Sequence, residues 1–419
     1  MNRTVCRLEQ VSVSLLSREI WQASTRGVCL DSVWTGYSKK VLTQSPFLTP
    51  RDVSMILESY SKIKYRDDKL LTHLVPTLIK YMGEFSVREI VSILSSMKKL
   101  EFSRIDCIHL FVNQLVLRKR EWNAMDCALI ANSLSWFRVF DEKIWKAIEL
   151  NVRKNWRELQ PIGMSLLVGA LARLDMRNEL MLDLLTRAVM YEENIWSQET
   201  LAVLVNGFAK LSWDKMGLFE NCLIPKLEMI LLNEPNAFDQ QSIVLLLHAL
   251  CGYRKGLYPE SLVKDLISKI SPDRVLSPDQ AAKLSLVAEI LPLDFPVIVN
   301  SRIDGKKKIK LPRWEYEIFR ILKDTIGAQI YRKHDQEGKT RIYIRPVDND
   351  GEVCLLCLGP FQHYTGSTKR TAASILGEEI LRRRGKRVIT VPYYVWNELK
   401  TDDDRVMYLL SLGRLSDEK

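Results

Sequence analysis

Histidine is scarce in this chain, at five residues in 419, and none of the five (His73, His109, His248, His334, His363) lies at H-E-x-x-H spacing. No P-loop or dinucleotide-binding glycine pattern occurs, and no nucleophile stands beside an obvious base. Glycine and proline are few, at 18 and 15, which excludes collagen-like and low-complexity classes. The eight cysteines are scattered through a long chain, as expected in a reducing compartment. The one close pair, Cys354 and Cys357, falls in an apolar strand, where residues three apart point to opposite faces; no second Cys or His pair completes a tetrahedral metal site. Both thiols are expected to pack, and neither a metal nor a cofactor is expected. Long apolar runs are missing too. The richest, Ile243 to Leu250, is short and interrupted by His248, against the ~20 residues a membrane-spanning helix needs.

What is present suits a large folded protein: 47% hydrophobic and 27% charged residues, enough to bury more than one core. The formal charge of +10 is unevenly spread. Residues 1–47 sum to +3, residues 48–296 to zero and residues 297–419 to +7. The neutral middle divides again, into +5 over 48–159 and −5 over 160–296. Such a gradient can steer a polyanion along the molecule.

An apolar register recurs at a fixed step. Ile56, Tyr60 and Ile63 are followed 37 residues later by Ile93, Met97 and Leu100, and then by Ile130, Leu134 and Phe137. Leu167, Leu171 and Leu174 continue the series, followed by Leu204, Phe208 and Leu211. Steps of 42 and 38 bring Leu246, Leu250 and Tyr253, then Leu284, Ala288 and Leu291. Spacings of three and four within each set place it on one helical face, and the second half of each unit has the same periodicity. Thr49-Pro50, Gln160-Pro161 and Ser277-Pro278 read as helix starts. Paired helices at constant period predict a mostly α fold: an α-solenoid of about seven helical hairpins over residues 48–296. Ser59, Ser96, Ser133, Ala170, Gly207 and Ala249 form a column of small residues that allows close helix approach. A second column, Lys62, Lys99, Trp136, Arg173 and Lys210, closes the first helices. Its cations suit phosphates and its indole a base, although a cation in a last turn also offsets the helix dipole.

The pattern changes after Pro296. Residues 297–339 read as a basic connector and a helix from Trp314 to Ile326. Arg341 to Arg345 and Val353 to Leu358 follow as strands joined by the turn Asp348-Asn349-Asp350-Gly351. Lys369 to Arg384 reads as a helix, Arg387 to Val391 as a third strand, and Trp396 to Leu412 as mostly helical with an acidic break at Asp402 to Asp404. Residues 414–419 form a tail. Gly359-Pro360 with His363-Tyr364 after a strand, then Thr365 to Arg370 leading into a helix, Val391-Pro392-Tyr393, Trp396 and Tyr408-Leu409-Leu410 resemble the RAP domain, an RNA-binding domain abundant in apicomplexans, over residues 340–413. The hairpin array ahead of it resembles the repeats that commonly precede that domain in organellar RNA-metabolism proteins.

The resemblance implies an α/β fold similar to the PD-(D/E)XK nucleases and a role in mitochondrial or plastid RNA biology. Acidic residues often sit three and one before the Gly-Pro in that family, and here Leu356 and Leu358 stand there. Apolar side chains cannot hold a hard cation, so binding without catalysis is expected. Asp348, Asp350 and Glu352 could be proposed as replacements, but they belong to a turn, where solvated carboxylates are expected. The expected RNA-binding residues are Gln362, His363, Tyr364, Lys369 and Arg370 in and after the loop, and the cationic run Arg382, Arg383, Arg384, Lys386 and Arg387. Arg3, Arg7, Arg18 and Arg26 amid Ser and Thr make residues 1–47 similar to a mitochondrial import segment, against which Glu9, Glu19 and Asp31 count. The expectation is a non-catalytic RNA-binding protein of the mitochondrial matrix, a ribosome component holding rRNA beside other ribosomal proteins. A transcript-specific stability or processing factor, a RAP-domain nuclease, a protein-only scaffold and a plastid location are the alternatives.

Overall fold

The computed structural model describes residues 3–191, 196–253, 258–270, 276–291, 312–326, 329–334, 340–345 and 353–412. The chain divides into two compact units, Met1–Leu174 with Glu179–Glu192, and Asp175–Asn178 with Glu193–Lys419.

In the first unit the hairpins pair α1 (Arg3–Thr25) with α2 (Asp31–Gln44), α3 (Pro50–Ile63) with α4 (Asp68–Lys80), and α5 (Val87–Lys99) with α6 (Ile105–Leu117). They continue as α7 (Ala124–Trp136) with α8 (Glu142–Asn155), and α9 (Pro161–Arg173) with α10 (Glu179–Tyr191). The odd-numbered helices pack side by side in one layer and the even-numbered ones in another. Ser59, Ser96 and Ser133 are buried at 1 to 2% exposure where α3, α5 and α7 approach, and the Ser61 hydroxyl donates to Ser96 Oγ at 3.3 Å.

Both ends of the odd helices are set by chemistry that repeats with the step. Thr49, Ser86, Asn123, Gln160 and Ser197 are N-caps 37 residues apart, and Thr49, Ser86 and Asn123 form reciprocal capping boxes with Asp52, Glu89 and Asp126. At the other end Lys64, Glu101, Arg138, Asp175 and Ser212 share the same spacing, and all have φ between +49° and +59°. The following residue closes a Schellman-type bond five residues back: Tyr65 N to Tyr60 O, Phe102 N to Met97 O, Val139 N to Leu134 O and Trp213 N to Phe208 O. None of these left-handed positions is glycine, which explains how so many turns coexist with so little of that residue.

The N-terminal 47 residues, expected as an extension, contain a further hairpin in step: α2 starts at 31 and α4 at 68. Val13, Leu16, Ile20 and Ala23 are buried, and Ser17 Oγ donates to Asp52 Oδ1 at 2.6 Å, tying α1 to the cap of α3. The apolar register hid this pair because Glu19, Ala23 and Arg26 stand where Ile56, Tyr60 and Ile63 do one step later.

The second unit continues with α11 (Gln198–Lys210), α12 (Ile224–Asn233), α13 (Gln240–Leu247), α14 (Glu260–Ser268) and α15 (Pro278–Ile290). The long step falls here, and α12 is entered, and α13 left, through wide π-turns at Phe219–Leu223 and His248–Tyr253. The small α/β domain follows: α16 (Arg313–Arg320), a sheet of β1 (Gln329–His334), β2 (Thr340–Arg345), β3 (Val353–Leu358) and β4 (Arg387–Pro392), and α17 (Ala372–Arg383), α18 (Tyr393–Glu398) and α19 (Asp402–Ser411). The sheet order is β1-β2-β3-β4, with antiparallel pairs at β1–β2 and β2–β3, and a parallel pair β3–β4 whose crossover contains α17. β1 lies where a connector was expected. The acids at 402–404 start α19 rather than interrupt a helix; Thr401 and Asp404 make its capping box, and negative charge suits a helix N-terminus. Asp348, Asp350, Glu352 and the Asp348–Gly351 turn lie outside the described residues.

Glycine at a left-handed position relieves a Cβ clash of about 1–2 kcal/mol, less the entropy glycine loses on folding. Glu101→Gly is therefore expected to raise stability by about 0.5–1 kcal/mol, seen as a higher midpoint in urea unfolding.

Candidate nucleic-acid interface

In the α/β domain the sheet divides two apolar clusters. Val353, Leu355 and Cys357 face α16, α18 and α19, while Cys354 and Leu356 pack with Leu381 and Val388. The two thiols thus point to opposite faces, and burial pushes that of Cys357 well above its ordinary value. Among the described residues no three His, Cys, Asp or Glu side chains converge as metal ligands.

His363 and Tyr364, expected to meet RNA, are buried at 3% and 1% exposure. The reason is that the loop docks on the unit's own hairpins. Tyr364 Oη donates to the Lys210 carbonyl at 2.8 Å and accepts from Ala372 N–H at 3.2 Å, and Thr365 N–H donates to the Asp175 carbonyl at 2.8 Å. His363 Nδ1 donates to the Gly359 carbonyl at 2.9 Å, its ring edged by Tyr393 and Tyr394. Gln362 is half-buried and Lys369 exposed. The Gly359-Pro360 turn instead projects Phe361, 91% exposed, which the sequence reading passed over.

The cationic run is largely internally paired. Arg370 and Arg382 share Glu378 at 2.5 and 2.7 Å, Arg383 pairs with Glu379 at 3.0 Å and donates to the Ile290 carbonyl at 2.6 Å, and Arg384 meets Glu289 at 2.5 Å. The last two contacts join the end of α17 to α15, and the carboxylates together lower the net charge of the patch. Lys386 is half-buried and Arg387 exposed; Arg387 has no ion pair among the described residues.

The repeat column behaves differently in the two units. In the second, Lys210 pairs with Asp175 at 3.2 Å. In the first, Lys62 and Lys99 are exposed, Trp136 is 39% exposed, and Arg173 turns back so that Nε donates to Ser135 Oγ at 3.0 Å and Nη2 to Asn132 Oδ1 at 2.5 Å. Arg138 donates to the Arg173 carbonyl at 2.7 Å. Lys98, beside the column, is half-buried in the same field.

Among the described residues no carboxylate pairs with Lys98, Lys99, Arg138 or Arg173. A cation held by helix dipoles would keep or raise its pKa. Lys98 does the reverse: burial, then the charges of Arg173 and Lys99, bring it down to about 8. The ends of α5, α7 and α9 therefore carry surplus positive potential next to an exposed indole. Lys98 and Arg138 were missed because their proximity comes from packing between hairpins rather than from spacing within one.

A separate half-buried carboxyl, Glu315 on α16 near Cys357, is pushed up to about 7 by burial. A carboxyl raised in the folded state costs nothing below its unfolded value near 4.5 and its full penalty above about 7. Stability of the protein should fall from pH 5 to pH 8, and Glu315→Gln should flatten that fall by on the order of 1–3 kcal/mol in denaturant midpoints. Tyr364→Phe strands a buried carbonyl and a buried N–H, and should cost about 1–3 kcal/mol in the same measurement.

Residues 355–412 match the RAP domain family, and residues 22–244 match the family described as RNA-editing substrate-binding complex 6 protein. No curated protein matches the chain. The second match spans more than half of the sequence and covers every helix from α2 to α12: the chain belongs to the RNA-editing substrate-binding complex 6 family and carries a RAP domain after the hairpins.

Proposed function

We propose that the protein holds RNA without cutting it, and that it does so through the ends of α5, α7 and α9. The observation that carries this reading is the cluster Lys98, Lys99, Arg138 and Arg173, which lacks a carboxylate partner among the described residues and sits beside an exposed Trp136. Phosphate is the group that neutralises such a cluster, and an unstacked base suits the indole. Lys369 and Phe361, both exposed on the segment that follows β3, form a smaller secondary surface on the RAP domain, and Arg387 lies at the opposite end of the sheet.

The family description names an RNA-editing substrate-binding complex, and this supports placing the protein in an organellar editing assembly. A ribosomal role with rRNA has only the resemblance of the RAP domain behind it. A mitochondrial location has the same resemblance behind it, without help from the arginines at 3, 7, 18 and 26, which lie on the packed α1 and the turn after it. In organellar extract the protein should sediment in a ribonuclease-sensitive particle distinct from ribosomes; cosedimentation with a ribosomal subunit would return the assignment to rRNA. Incubation with RNA and Mg²⁺ or Mn²⁺ should leave the RNA intact.

Lys98→Gln should weaken binding of unrelated RNA sequences alike and reduce the salt slope by about 0.7, the amount for one single-strand phosphate contact. Because phosphate favours the charged amine, wild-type binding above pH 8 must first load a proton. Its affinity should fall about fivefold to tenfold more than that of Lys98→Gln between pH 7 and pH 9. Fluorescence anisotropy on the full-length protein measures both.

A further inference from the structure

A groove of about 820 Å³ crosses α3, α5 and α7 on the first unit. It adjoins the proposed phosphate cluster, because Lys99 lines both. Its rim carries Arg51 and Arg88, one step apart and both exposed, which have no ion pair among the described residues. Trp21, 47% exposed, stands at the α1 side.

The lining mixes hydroxyl and carboxylate oxygens with Met55, Val91, Met125 and Leu129. Ser54, 6% exposed, and Ser95, half-buried, line the groove, and their hydroxyls make no hydrogen bond among the described residues. Three carboxylates lie there as well, which is unusual for a surface facing a polyanion. Each spends one oxygen on the protein: Glu89 Oε2 accepts from Ser86 N–H and Oγ at 2.8 Å, Asp126 Oδ2 from Asn123 N–H at 3.1 Å, and Glu58 Oε2 from Ser92 Oγ at 3.1 Å. The second oxygen of each accepts nothing from a described residue. The groove therefore offers open acceptors and free hydroxyls between unpaired cations. A ligand that fits must bring hydroxyl or amino donors on a backbone that is also anionic. Ribose does so through its 2′-hydroxyl, and deoxyribose cannot.

We propose that this groove seats the ribose-phosphate backbone of an RNA strand running on from the Lys98–Arg173 cluster, and that its serine and carboxylate oxygens distinguish RNA from DNA. The inference rests on the RNA-binding reading above. Arg51 and Arg88 take phosphates regardless of sugar, while Ser54, Ser95 and the open carboxylate oxygens take the 2′-hydroxyl.

The test uses the full-length protein and one short unstructured sequence made as RNA and as DNA, with affinities read by fluorescence anisotropy. Wild type should prefer RNA. The double variant Ser54→Ala with Ser95→Ala, whose hydroxyls have no protein partner to lose, should bind RNA about fivefold to tenfold more weakly and DNA unchanged. Arg51→Gln with Arg88→Gln should weaken both and lower both salt slopes. Equal wild-type affinity for the two forms, or an RNA-to-DNA ratio untouched by the serine changes, would overturn the groove assignment. Should Lys98→Gln still weaken both forms in that event, the RNA-binding reading stands without the groove. Failure of the wild type to bind either form overturns both.

Discussion

The helix-end hydrogen bonding that recurs every 37 residues is the constraint on which the first unit depends. An N-cap side chain at Thr49, Ser86 and Asn123 and a left-handed residue at Lys64, Glu101 and Arg138 fix where each odd helix begins and ends. Equal lengths then bring equivalent residues into rows across the layer. That is how Lys99, Trp136 and Arg173 come together although no local motif contains them. The capping acids serve twice: Glu89 and Asp126 satisfy backbone donors with one oxygen and leave the other facing the groove.

Charge alone would have assigned the interface to the last third of the chain, where the net excess is largest. Pairing decides otherwise. Glu378, Glu379 and Glu289 absorb the arginines of α17, and exposed pairs of this kind contribute little to stability, about 0–1 kcal/mol each. Of these, the Arg384–Glu289 pair reaches α15, and together with the Arg383 bond to the Ile290 carbonyl, Tyr364 and Thr365 it seats the RAP domain on the hairpins of its own unit. In the first unit Lys98 and Arg173 are half-buried and Lys99 and Arg138 exposed, and none of the four has a carboxylate partner among the described residues, so less of their charge is offset toward an anion.

Much of this was legible in the sequence. The 37-residue apolar step gave every odd helix from α3 to α15, and the Gly359-Pro360 segment with its flanking strands located the RAP domain. Glu378 and Glu379, four residues ahead of Arg382 and Arg383, were a readable sign of pairing that the density of arginine obscured. Other features depend on packing at long range. Glu289 reaches Arg384 across 95 residues, Tyr364 finds a carbonyl 154 residues away, and Lys98 loses water only because neighbouring hairpins cover it. The α1–α2 hairpin escaped notice for a different reason: Glu19 is exposed on α1 and accepts from Tyr37 Oη at 3.2 Å, so the helix packs without an apolar residue at that position.

The central claim is that the surplus cations of the first unit, rather than the arginine run of the RAP domain, hold the RNA. Photocrosslinking of the full-length protein to RNA, with crosslinked peptides identified by mass spectrometry, tests it most directly. The account predicts crosslinks at Trp136 and within residues 87–138, with fewer at Phe361. Crosslinks confined to residues 382–387, with none on the first unit, would contradict it.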